Sequence, residues 1–357
     1  MRDPEFDLLV AACSVSFRDR PLAAPPVAVR WDRLLALAAR HRVQALCWNG
    51  LGSVANEVPE GIAATFRDQA RAIVVANLRG ASECARLHQS FAAAGVPLMF
   101  LKGLTVGALA YRDPFLKMAV DIDLLIEPAR LADAARELRL AGYAPIVPAG
   151  ADDAALGGWH RAHKESVWHR PDGTFQLDLH TRLADHPAML AGLTAASPLR
   201  LVQVAPGISL PTLDNHELFA YLCVHGASSA WFRLKWITDF AALLRDRTAE
   251  EIDGLWGRSQ RLGVGRAAGQ ALILADRIYS IRLGDELRSR LAADPAIRGL
   301  AKLAENQLLD PREPTERPLG TATIHLSQLA LLPGWRFKAS EAARQLRDIA
   351  RRAPPSR

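Results

Sequence analysis

One stretch constrains this chain more than any other: Val96 to Glu127, VPLMFLKGLTVGALAYRDPFLKMAVDIDLLIE. Val96 to Leu101 is a short apolar run with the length of a buried strand. Lys102-Gly103 closes it, and Leu104 to Tyr111 fits about two helical turns. Asp113-Pro114 ends that helix, because the residue before a proline is pushed out of the α region. Val120 to Ile126 then reads as a second strand carrying Asp121 and Asp123. Alternate strand residues share a face. Asp121 and Asp123 therefore project from one side, Ile122 and Leu124 from the other. Two carboxylates on an otherwise apolar strand repel each other and are costly to desolvate. A cation between them removes both penalties, and all-oxygen donors suit Mg²⁺ or Mn²⁺ rather than zinc.

A third carboxylate sits further on, in His163 to Thr181, HKESVWHRPDGTFQLDLHT. Pro171-Asp172-Gly173 is a turn between two β-rich segments, so the stretch reads as a hairpin. Its returning strand places Phe175, Leu177 and Leu179 on one face and Gln176, Asp178 and His180 on the other. If Asp178 joins the D-x-D pair, its strand lies beside theirs, and Leu177 and Leu179 enter the core with Ile122 and Leu124. That register is strict, since a slip of one residue would bury Asp178 and expose both leucines. His180 is expected to position Asp178 or to pack rather than to bind metal, because Mg²⁺ prefers oxygen. His160, His163, Lys164 and His169 read as a cationic cluster without a metal-binding pair.

The remaining chain reads as helix on either side. Residues 1–95 form an N-terminal helical segment, with helices at Trp31 to Leu51 and Ile62 to Ala94, the second interrupted near Gly80. Residues 96–210 form the core, and 211–357 a C-terminal helical domain. Within the core, Ala129 to Leu140 is a helix capped by Gly142, and Tyr143 to Val147 a strand. Residues 148–158 read as a loop with solvated Asp152 and Asp153. A short strand is expected at Leu199 to Val204. Helices are expected at Glu217 to Ala227 and Trp231 to Arg245, the latter carrying Lys235 and Asp239 four residues apart. The Arg-rich tail from Glu341 to Arg357 reads as a solvated helix.

Composition narrows the function classes. A chain of 357 residues, half of them hydrophobic, forms a large core and is not globally disordered. Its net charge of +6 suits an anionic substrate but is too small to establish nucleic-acid binding. Cys13, Cys47, Cys84 and Cys223 are scattered in apolar contexts, as expected for reduced, buried thiols. The N-terminal residues lack the apolar core of a signal peptide, and no apolar run approaches a membrane span. A cytoplasmic protein without membrane association is the expectation.

A Gly-containing turn between strand and helix, followed by a strand with D-x-D, resembles the nucleotidyltransferase fold of the DNA polymerase β superfamily. The pattern Leu101-Lys102-Gly103, Tyr111, Asp113-Pro114, Lys117 and Asp121-Ile122-Asp123 resembles one branch of it, a family of uncharacterised bacterial nucleotidyltransferases. The resemblance covers residues 96–182 and, more loosely, 213–245. Two features depart from the wider superfamily: Gly103-Leu104 replaces Gly-Ser or Gly-Gly, and the gap from Gly103 to Asp121 is longer. Both are usual in that branch. The resemblance implies an α+β fold, with a small mixed sheet and flanking helices as the nucleotidyltransferase core. It implies Asp121, Asp123 and Asp178 as catalytic ligands of Mg²⁺ or Mn²⁺, with Lys102 and Gly103 meeting the phosphates of a nucleoside triphosphate, ATP being the expected one. The segment after His225 implies Lys235 as a further triphosphate contact. The acceptor is open: protein, peptide, tRNA or small molecule. A kinase-like phosphotransferase and a non-catalytic nucleotide-binding or partner module remain as alternatives.

Overall fold

The D-x-D segment enters the second strand of a five-stranded mixed sheet. The computed structural model describes residues 3–18, 20–25, 28–111, 113–173 and 175–352. Three helices come first, α1 (Pro4–Val15), α2 (Trp31–His41) and α3 (Gln44–Leu51), then the 34-residue helix α4 (Glu60–Ala93). There follow β1 (Leu98–Phe100), α5 (Leu104–Ala110), β2 (Ile122–Ile126), α6 (Leu131–Leu140), β3 (Ala144–Val147), α7 (Asp153–Ala162), β4 (Glu165–His169) and β5 (Gln176–His180). A hairpin, β6 (Leu199–Ala205) and β7 (Ile208–Leu213), completes the β structure.

The sheet order is β1-β2-β5-β4-β3, with β2 and β5 parallel and the other pairs antiparallel. Ile122 pairs with Leu177, Asp123 with Asp178 and Leu124 with Leu179. All five residues of β2 are buried, as a central strand covered on both faces requires. Ile122, Leu124, Leu177 and Leu179 join one core with Leu87 and Phe91 of α4, Leu138 of α6 and Trp168 of β4. Burying each such large side chain contributes about 1.5–3 kcal/mol. The strict register reasoned from the sequence is the one observed.

The chain divides into two compact units. The first runs through Asp185 and resumes over Gly192–Leu218, so it holds the whole sheet, the hairpin and α1 to α7. The second takes His186–Ala191 and the chain from Phe219 onward. Helix α8 (Asn215–Ser228) leads from one into the other. The second unit continues with α9 (Leu234–Leu244), α10 (Ala249–Arg261), α11 (Gly265–Tyr279), α12 (Asp285–Ala293), α13 (Pro295–Leu309), α14 (Ala322–Gln328) and α15 (Trp335–Arg352). The chain is thus mixed α and β, with small sheets and many helices. Among the described residues, no helix is long and apolar enough to cross a membrane. The four cysteines are buried and form no disulfide.

Several local readings need correction. Trp31 to Leu51 is two helices, because Arg42 adopts a left-handed conformation at φ 57° and ends α2. Helix α4 passes Gly80 unbroken, tertiary packing outweighing the weak helix propensity of one glycine. Residues 148–158 are not all loop: Asp152 caps α7 by accepting from the Ala155 N–H at 2.8 Å. The connection to Pro211 hides a second strand, β7, in which Pro211 pairs with Leu201 at a sheet edge, where a missing N–H is tolerated. Helix α9 starts at Leu234 because Ala230 and Trp231 have positive φ. Residues 353–357, including Pro354-Pro355 of the Arg-rich tail, lie outside the described residues.

Candidate active site

Strand β1 ends in a turn whose backbone only glycine adopts readily. Gly103 has φ 71° and ψ −122°, and Leu104 opens α5 directly after it. The turn brings the Lys102 side chain over the start of β2. Its ammonium lies 3.2 Å from Asp121 Oδ2 and 2.5 Å from Asp123 Oδ2. Asp121 is not itself in the strand but in the bend just before it, so the two carboxylates meet across one ammonium rather than along one strand face. The segment leading to Asp121 is held from α4. The buried Asn77 amide donates to the carbonyls of Phe115 and Lys117, both at 2.7 Å.

Strand β5 supplies the third carboxylate. Asp178 stands opposite Asp123 across the parallel pair, and Gln176 Nε2 donates to Asp178 Oδ1 at 3.3 Å. His180 shares that face. Its Nε2 lies 3.2 Å from Asp123 Oδ1, and its Nδ1 lies 3.3 Å from Glu165 Oε2 of β4. His180 therefore contacts Asp123, not Asp178 as the sequence suggested. Glu165 Oε2 also receives the Lys164 ammonium at 3.2 Å. Lys164, Glu165, His180, Asp123, Lys102 and Asp121 thus form one chain of alternating basic and acidic groups across three strands and the turn.

Neighbours, not burial alone, set the charge of the two central aspartates. Burial would raise the carboxyl of Asp123, but the Lys102 ammonium and the His180 hydrogen bond hold it well below the usual carboxylate range. Among the described residues, no cation is in hydrogen-bond contact with Asp178. Burial and the charges of Asp123, Asp121 and Glu165 push it up to about 7. For Lys164, desolvation is outweighed by Asp185 and Glu165, which raise it. The expected cationic cluster before the hairpin dissolves in part. His160 is buried between Thr181 Oγ1 and Ser166 Oγ, each at 2.9 Å, and burial lowers it to about 4, so it is neutral.

Asp123, Asp178 and His180 each offer one ligand atom, and those atoms lie within 4.8 Å of one another. Two carboxylates and an imidazole are a donor set for a divalent cation. Beside them is a cavity of about 90 Å³, lined by Asn77 and Gly80 of α4, Lys102 and Gly103 of the turn, Asp121, and Phe175 and Gln176. Lys235 is the second residue of α9, in the second unit, with its ammonium 5.9 Å from the Trp236 ring. The sequence reading missed Glu165. Pairing the hairpin outward from its turn places Glu165 opposite His180, so that signal was present.

The fold is thus an α+β sheet that gathers acidic side chains and a lysine behind a strand–turn–helix, with a donor set that could hold a divalent cation. More narrowly, a family model described as uncharacterised nucleotidyltransferase matches residues 28–280, and the chain belongs to that family. No curated protein and no solved structure matches it.

Proposed function

We propose that this protein is a metal-dependent nucleotidyltransferase of the DNA polymerase β superfamily, acting in the cytoplasm. It moves a nucleoside monophosphate from a nucleoside triphosphate, ATP in the first instance, to an acceptor hydroxyl. One observation carries the reading: Asp123 and Asp178 face each other, buried, on adjacent parallel strands, with Lys102 against Asp123.

In this reading Asp121, Asp123 and Asp178 hold Mg²⁺ or Mn²⁺, which supplies charge neutralisation at the attacking and leaving oxygens. The turn at Gly103 lets the phosphates approach the backbone, and the N–H groups opening α5 have no intrahelical acceptors of their own. Lys102 exchanges its two aspartates for the triphosphate and steadies the departing pyrophosphate. Asp178, opposite Asp123 on the adjacent strand, is the carboxylate placed to take or orient the acceptor's proton. The hydroxyl oxygen bonds to the α-phosphorus, the bond to the bridging oxygen of the β-phosphate breaks, and pyrophosphate leaves. Positioning and electrostatics supply most of the rate. The acceptor belongs to a protein, a peptide, a tRNA or a small molecule.

The test is product identity. Labelled triphosphates are incubated with the protein, Mg²⁺ or Mn²⁺ and a cell lysate. Pyrophosphate release with label in one acceptor fraction supports the proposal. Nucleoside diphosphate would assign a phosphotransferase, and no Mg²⁺- or Mn²⁺-dependent nucleotide binding would leave a non-catalytic module.

A further inference from the structure

The environment of His180 bears on which metal the site takes. Its side chain is 2% exposed and lies between two carboxylates, Asp123 on Nε2 and Glu165 on Nδ1. A neutral imidazole carries one N–H and one lone pair. Glu165 is the fixed partner, because its Oε2 is also bound by Lys164, and it lies outside the group of closely spaced ligand atoms. Asp123 lies inside that group. Without an ion, Nε2 is hydrogen-bonded to Asp123 while Nδ1, 3.3 Å from Glu165 Oε2, makes no hydrogen bond; an ion bound at Nε2 would move the N–H to Nδ1, where it faces Glu165. A carboxylate behind a histidine in this way fixes the tautomer and raises the basicity of the ligating nitrogen.

Resting on the nucleotidyl-transfer reading, we propose that His180 Nε2 is a direct metal ligand with Asp123 and Asp178, that Glu165 is its positioning residue, and that the centre takes Mn²⁺ in preference to Mg²⁺. The preference follows from the donors. Mg²⁺ favours oxygen and retains its waters, whereas a first-row transition ion accepts imidazole readily. An all-carboxylate centre would lack this nitrogen.

The experiment is pulsed electron paramagnetic resonance of the full chain with Mn²⁺ alone, and with Mn²⁺ and inorganic triphosphate, which contains no nitrogen. Strong imidazole nitrogen coupling is expected in the wild type and absent in His180→Gln. Competition with Mg²⁺ should give a Mn²⁺-to-Mg²⁺ affinity ratio that falls in His180→Gln. Glu165→Ala should weaken Mn²⁺ binding by about 10–100-fold, whereas Glu165→Gln, which keeps an acceptor for Nδ1–H, recovers most of it. Bound Mn²⁺ without nitrogen coupling in the wild type overturns the proposal and leaves nucleotidyl transfer standing. That spectrum decides even if His180→Gln does not fold. No bound Mn²⁺ in either condition removes both.

Discussion

Asp123→Asn and Asp178→Asn should both abolish transfer, yet change the stability of the metal-free protein in opposite directions. Asp178 carries a folded-state value of about 7 against an ordinary 3.8. Below the ordinary value both states are protonated and the residue is neutral to stability. As pH rises, the unfolded chain releases its proton while the folded chain keeps it, so stability falls until the folded value is passed. Three units at about 1.4 kcal/mol each set an upper limit of ~4 kcal/mol above neutrality, and coupling to Asp123 brings the expectation to roughly 2–4 kcal/mol. Asn mimics the protonated form, so Asp178→Asn should raise the urea midpoint in EDTA. The gain at about pH 8 should be at least twice that at about pH 5. Asp123 has the reverse sign. Its removal strips a buried partner from Lys102 and His180 and should destabilise by roughly 1.5–3 kcal/mol, the usual range for bonds to charged groups. A pH-independent gain for Asp178→Asn, or stabilisation by Asp123→Asn, would refute the electrostatic account of the site.

Gly103→Ala should cost about 1–3 kcal/mol in urea unfolding from backbone strain, since the nearest atom to an added Cβ is 3.7 Å away. An unchanged midpoint would show that the turn relaxes freely. Lys102→Met should tighten Mn²⁺ binding to the nucleotide-free protein and weaken triphosphate binding more than monophosphate binding, both by calorimetry. Equal losses for the two nucleotides would mean that Lys102 does not reach the outer phosphates. Gly50→Ala should destabilise by about 1–3 kcal/mol or more, because the new Cβ would fall on the Ala12 carbonyl of α1. Gly52→Ala, with nothing within 4 Å, should be near neutral, the two variants being compared by thermal melt.

The sheet core was legible because its signals have period two. Ile122 and Leu124 alternate with aspartate, Leu177 and Leu179 alternate with Asp178, and the observed parallel register puts all four apolar residues in one core. What escaped was local backbone choice and cross-strand company. Nothing in Arg42 announces a left-handed residue, and Gly157-Gly158 disguises α7 as a loop. Lys102 reads in sequence as a phosphate contact, but its metal-free partners depend on how the turn folds back over β2. His180 reads as the neighbour of Asp178, yet a strand side chain meets residues on adjacent strands more readily than those along its own.

Asn77 gives the long helix α4 a further significance. One amide suspends the segment before Asp121 from a rod that also packs against α2, α3 and the β6–β7 hairpin. The rod serves as a datum line, tying the segment that leads to Asp121 to the helical bed on which α4 rests. Packing changes in the N-terminal helices are therefore expected to displace Asp121, and an activity assay should register them before a thermal melt does. The helices without chemistry of their own are part of the tolerance stack of the active site.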